Sequence, residues 1–120
     1  MQILISTDHT IEGDEKLNAH IQKIVEHALR HLDEHIARIE VHLSDENGPK
    51  TGANDIRCVM EAHLEHHQPL AVTHHATGLH QAVEGAINKL SRLLGSTIDQ
   101  RNEQKRNLSP LPQEPLIPEA

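Results

Sequence analysis

The 120-residue sequence contains no Phe, Tyr or Trp. Any core must therefore be built from Leu, Ile, Val, Ala and Met, and it is small, because a chain of this size buries only about two-thirds of its surface on folding. There is one cysteine, Cys58, so an internal disulfide framework is excluded. No apolar run approaches the roughly 18 residues that span a bilayer, which argues against an integral membrane protein. The start, Met1-Gln-Ile-Leu-Ile-Ser-Thr-Asp8, has neither a basic n-region nor a long apolar stretch, so no secretory signal is read there. A lone thiol and no export signal predict a reducing, cytoplasmic setting. Cationic excess is missing too: 11 Lys and Arg face 18 Asp and Glu, a formal charge of −7, which argues against a general polyanion binder at neutral pH.

What the chain has in abundance is histidine, 12 residues in all. With an ordinary imidazole pKa of about 6.5, mild acid moves such residues toward +1. Protonating about half of them nearly cancels the formal charge. The sequence pI of 5.9 agrees.

Periodicity predicts the elements. Residues 1–6 read as a strand with Ile3 and Ile5 on one face. Residues 7–13 read as a turn, and Asp14 offers a helix N-cap. Leu17, Ile21, Ile24, Val25, Ala28, Leu29, Leu32 and Ile36 then mark the buried stripe of a helix of about 22 residues. After Ala37 the period becomes two: Ile39, Val41 and Leu43 alternate with Glu40 and His42. The turn formers Asn47-Gly48-Pro49 and Gly52 make residues 44–54 a loop. A second strand alternates Ile56, Cys58, Met60, Ala62 and Leu64 with polar residues. After a tight connection at 66–69, residues 70–74 form another strand. Short connections make these strands antiparallel neighbours. Thr77 caps a second helix whose stripe runs from Leu79 to Ile98. Four prolines between residues 107 and 120 predict an extended or disordered tail.

The fold class is therefore α+β, a β-α-β-β-β-α two-layer sandwich: a four-stranded mixed sheet with both helices on one face. The domain spans residues 1–100. Residues 101–120 are a charged helix end followed by the proline-rich tail.

Chemistry-bearing patterns are few. On the first helix Lys16, His20, Lys23, His27, Arg30 and His31 share one narrow band, while Glu15, Glu26 and Asp33 lie further round. On the second helix Lys89 and Arg92 sit one turn apart. Such cations contact phosphates as point charges or bidentate forks; the plainer reading is a solvated helix face. Because His20, His27 and His31 interleave with the lysines, acidification completes the positive stripe.

His27, His31 and His35 at i, i+4, i+8 invite a metal, as do His66-His67 and His74-His75. No spacing fixes a third ligand of Cys or carboxylate type, and there is no H-E-x-x-H or CxxC, so no metal site or cofactor is assigned. His42 and His63 alternate with apolar residues and are expected to face water. Enzyme signatures are equally thin. Cys58 lies on the apolar phase of its strand, Ser44 lacks an elbow motif, and Asp45-Glu46 reads as a solvated turn. Gly48 and Gly52 build no phosphate cradle, so no catalytic residue or small-molecule substrate is assigned.

The β-α-β-β-β-α order comes with two distinctive passages. One is Val41-His-Leu-Ser-Asp-Glu-Asn47 with Asp55-Ile-Arg-Cys-Val-Met-Glu-Ala62. The other is Pro69-Leu-Ala-Val-Thr-His74 running into Ala82-Val-Glu-Gly-Ala-Ile-Asn-Lys-Leu90. Together with the first strand they resemble the ribosome hibernation-promoting factor and ribosome-associated inhibitor family, in its short form, over residues 1–98. The resemblance implies a non-enzymatic cytoplasmic factor that binds the small ribosomal subunit and 16S rRNA, in the channel used by mRNA and tRNA. It implies inhibition of translation or storage of idle ribosomes under stress. It matches Lys89 to the lysine of the family's Asp-Lys-Leu segment and Arg92 to a basic position one turn later. Lys16, Lys23 and Arg30 match the basic face of the first helix more loosely.

Two departures mark a diverged, acidic member. Residues 95–100 replace a lysine-rich run with an almost uncharged stretch, and the whole chain is anionic. Fewer phosphate contacts imply a weaker, more pH-dependent grip. The proline-rich end is far shorter than the second, dimerising domain of long members, so a monomer is expected. Two readings from other classes stand beside this one: a histidine-rich metal-binding module, and a diverged member that binds a protein partner through the open sheet face.

Overall fold

The computed structural model describes residues 1–8, 15–46 and 55–107, with residues 101–107 as backbone alone. Strand β1 is Gln2–Thr7, helix α1 is Glu15–Leu29, and a 3₁₀ segment covers Arg30–His35. Strands β2 (Ile36–Asp45), β3 (Ile56–Leu64) and β4 (Leu70–Ala76) follow, and helix α2 (Leu79–Asn107) closes the sequence of elements. The four strands form one sheet in chain order. β1 runs parallel to β2, and β2–β3 and β3–β4 are antiparallel. This is the expected two-layer α+β architecture. The Asp14 cap, most of the loop at 44–54 and the tail beyond Asn107 lie outside the described residues.

The clean alternation of β3 is the anchor of the sheet. Ile56, Cys58, Met60, Ala62 and Leu64 are all buried, and the residues between them are not. Both helices lay their apolar stripes on that face: Ile21, Val25 and Leu29 from α1, and Ala82, Val83, Ala86, Ile87, Leu90, Leu94 and Ile98 from α2. The opposite face, with Leu4 at 44 % exposure, carries the alternate residues of every strand.

The first helix is shorter than its periodicity predicts. Leu29 leaves the α conformation at φ −109° and ψ 9°, and the Ile36 N–H donates to the Asp33 carbonyl, an i→i−3 bond. Ile36, expected on the helix, is instead the first residue of β2. A register shift between Ile36 and Arg38 explains the misleading pattern. One extra residue, Ala37, lets both Ile36 and Ile39 face the core, so a bulged strand shows the three-residue spacing of a helix.

Other details refine the ends. The Ala82 N–H donates to the Gly78 carbonyl, which puts Gly78 rather than Thr77 at the N-cap position of α2. Gly85 allows α2 to settle on β4, since a Cβ there would stand 2.1 Å from the His74 ring. His66, in the β3–β4 connection, takes a left-handed φ of 60°.

Cys58 is fully buried, and burial pushes its thiol up to about 12. Its role is therefore that of a small core residue. In native protein at pH 8 it is expected to resist a chromogenic disulfide reagent, and to release one equivalent only in denaturant. Rapid native labelling would contradict its place in the core.

Candidate nucleic-acid interface

Helix α1 presents two cationic rows. Lys16 and Lys23, seven residues apart, make one and His20 and His27 the other; Arg30, seven residues beyond Lys23, opens the 3₁₀ segment that follows the helix. Seven residues make almost two turns, about 10.5 Å, with a drift of only about 20°. Lys16, Lys23, His27 and Arg30 are all exposed, and the core stripe around Ile21 and Val25 lies on the other side of the helix. Among the described residues none of Lys16, Lys23, Arg30 and Arg92 is in an ion pair or hydrogen bond. Of the nearby carboxylates, Glu26 and Asp33 line one pocket with Arg30 and Met1 without an ion pair to Arg30. Asp33 meets the Met1 amine at 3.2 Å.

The two helices touch through histidines. His20 Nε2 and His80 Nδ1 are 3.3 Å apart, with the rings stacked at a centroid distance of 5.4 Å. His80 Nε2 in turn lies 3.2 Å from Glu84. One ring must accept in the His20–His80 contact, so His20 is tied into the interhelix seam rather than standing free on the ridge. The seam also forms a small apolar cleft of about 170 Å³, lined by Leu17, Ile24 and Val83 among others.

The expected cations of α2 separate. Lys89 follows His80 by nine residues, about half a turn out of phase. It therefore lies on the flank of α2 away from α1, where its Nζ donates to the Thr73 carbonyl of β4 at 2.9 Å. Arg92 stays exposed and unpaired on the outer side. The structure thus leaves Lys16, Lys23 and His27 exposed on α1 and Arg30 exposed at the start of the 3₁₀ segment, with Arg92 on the neighbouring helix, and sets Lys89 apart at the sheet edge.

A second polar constellation occupies the open sheet face. Glu40 and Glu61 are directly opposed across β2 and β3. Arg38 Nε donates to Glu40 Oε2 at 2.8 Å, and His42 Nε2 lies 3.5 Å from Glu40 Oε1. His63 Nε2 lies 3.4 Å from both Glu40 Oε2 and Glu61 Oε1. That nitrogen is buried and makes no hydrogen bond.

Residues 4–102 match the family model described as sigma 54 modulation protein / S30EA ribosomal protein. The chain belongs to that family. No curated protein matches the sequence. Two solved structures share the fold of this S30EA-family chain. One is the N-terminal domain of Protein Y from Thermus thermophilus, with 17 % identity and a TM-score of 0.63, over 78 % of this chain and 96 % of that one. The other is a ribosomal subunit interface protein from Coxiella burnetii, with 12 % identity and a TM-score of 0.63, over 82 % and 99 %.

Two histidine expectations change in this S30EA-family chain. His27, His31 and His35 do not share one helix, because the 3₁₀ segment begins at Arg30. His63, expected in water, is half-buried between two carboxylates. The signal was present in the sequence: Glu40-Val-His42 and Glu61-Ala-His63 repeat one E-x-H pattern on successive antiparallel strands.

Glu40 also gives the sheet face a pH dependence. Burial pulls its carboxyl upward, but the Arg38 hydrogen bond and charge, with His63 and His42, together outweigh that and leave it below its ordinary 4.5. A carboxyl depressed in the fold adds stability that is full above the unfolded value and is lost as pH falls through the folded one. The midpoint of thermal unfolding is therefore expected to drop as pH falls below about 4.5. Arg38→Gln should flatten that drop; an unchanged acid limb in the variant would reject the assignment.

Proposed function

We propose that this chain is a cytoplasmic, non-enzymatic, ribosome-associated factor that binds the small ribosomal subunit, contacting 16S rRNA phosphates with the outer ridge of α1 and with Arg92. Binding there inhibits translation or holds idle ribosomes in store under stress. One observation carries this reading: Lys16, Lys23 and Arg30 form an exposed row without a carboxylate partner, on a molecule whose net charge is −7. An anionic protein that leaves one row of cations unneutralised has a surface suited to a phosphate backbone. Family membership supports a ribosomal partner, and no helix among the described residues is long and apolar enough to cross a membrane. Lys89, tied to β4, contributes less than the family resemblance implies, and His20 belongs to the interhelix seam. The protein acts as a monomer, with residues 1–100 as the binding domain.

The test is co-sedimentation of the untagged protein with 30S subunits at low salt. Enrichment is expected from pH 6 to pH 7.5, weakening as salt rises. Absence of enrichment throughout that pH range overturns the reading.

A further inference from the structure

The open sheet face, opposite the helix layer, carries a group of metal-ligand type that ribosome binding does not use. We infer that Glu40, His42 and Glu61, with His63 beside them, form a binding site for a divalent transition ion of the zinc class. Ligand atoms of Glu40, His42 and Glu61 all lie within 4.8 Å of one another. Their closeness is built into the sheet. Glu40 and Glu61 are a direct cross-strand pair, and each is followed by a histidine two residues on, on the same face of its strand. Because the strands are antiparallel, the two E-x-H units are related by a local two-fold, with one imidazole at each end of the carboxylate pair.

The distances favour a metal over hydrogen bonds. The three imidazole–carboxylate separations are 3.4, 3.4 and 3.5 Å. Those are long for hydrogen bonds, which cluster near 2.7–3.2 Å. The 3.5 Å from His42 Nε2 to Glu40 Oε1 matches the edge of a zinc tetrahedron, since ligands 2.0–2.2 Å from the ion stand about 3.3–3.6 Å from each other. His63 Nε2, buried and without a hydrogen bond, lies 3.4 Å from both carboxylates and stands beside that set.

Charge adds the driving force. Two carboxylates directly opposed on adjacent strands repel. Arg38 answers one oxygen of Glu40 and leaves Oε1, beside His42, available. No Lys or Arg among the described residues pairs with Glu61. A divalent ion neutralises both carboxylates at once. The imidazoles select the borderline transition ions over Mg²⁺ and Ca²⁺, which prefer oxygen.

The test is a calorimetric titration of the untagged full chain with ZnCl₂, repeated with Co²⁺ to read visible absorption. One saturable site per chain is expected, with the intense bands of tetrahedral cobalt and a raised melting temperature. Glu61→Gln should weaken zinc at least about 10-fold, and His42→Gln should abolish the cobalt bands. These residues lie on a face outside the core, so the variants are checked for native circular dichroism. The double variant His66→Gln/His67→Gln should leave zinc binding unchanged. Zinc bound equally by the Glu61 variant, a site lost with His66 and His67, equal affinity for Mg²⁺, or no saturable binding each overturns the inference.

Discussion

Leu90→Ala is expected to destabilise the protein by about 3–5 kcal/mol, the upper range for a leucine truncated in a core. Leu90 is completely buried in the middle of the α2 stripe, between Ala86 and Leu94 and over the sheet. The size of the effect follows from what the core lacks. With no aromatic ring in the chain, the hole is bordered by aliphatic side chains, many of them β-branched and stiff at χ1. Such neighbours relax poorly into a void, so the cavity cost adds to the lost transfer energy. The same substitution at Leu93, which is 36 % exposed, is the control and is expected to cost under about 1 kcal/mol. Against a typical total of about 5–15 kcal/mol, the Leu90 variant loses a large fraction of its stability, and its melting temperature falls by roughly 10–20 °C. Urea melts of the two variants check this. Equal shifts would mean that α2 is not docked through the stripe that contains Leu90.

How legible the fold was depended on how regular each element is. β3 alternates without interruption, so its register and its core face could be read directly, and Cys58 fell on the correct side. The α2 stripe kept a constant helical period for the same reason. The junction of α1 and β2 could not be read correctly, because a bulge at Ala37 and a 3₁₀ segment both produce three-residue spacing. Periodicity does not distinguish them from an α-helix.

The candidate surfaces divide in the same way. The α1 row is local in sequence, so local spacing was enough to place Lys16 and Lys23 on one helix face, whereas Arg30 falls just beyond the helix end. Lys89 was placed with them only because the flank of α2 that α1 occupies is a tertiary fact, fixed by the His20–His80 contact. The Glu40–Glu61 pair depends on strand register across a loop, which the sequence does not specify to the residue.

Removing the α1 row is the sharper functional experiment. In Lys16→Gln/Lys23→Gln/Arg30→Gln, affinity for the 30S subunit at about 0.1 M salt is expected to fall on the order of 100-fold. The slope of log K against log salt should shrink by about two to three units, because each phosphate contact contributes roughly 0.7–0.9. All three side chains are exposed and unpaired among the described residues, so the melting temperature should barely change. Lys89→Gln is the discriminating companion. Its ammonium already donates to the Thr73 carbonyl at the β4 edge, on the far flank of α2 from the α1 row. A side chain held there adds little to a contact made by the α1 ridge, so the single variant should move the salt slope by well under one unit. If instead Lys89→Gln weakens binding as much as the triple variant, the RNA lies along the β4 edge, and the α1 row is an ordinary solvated helix face.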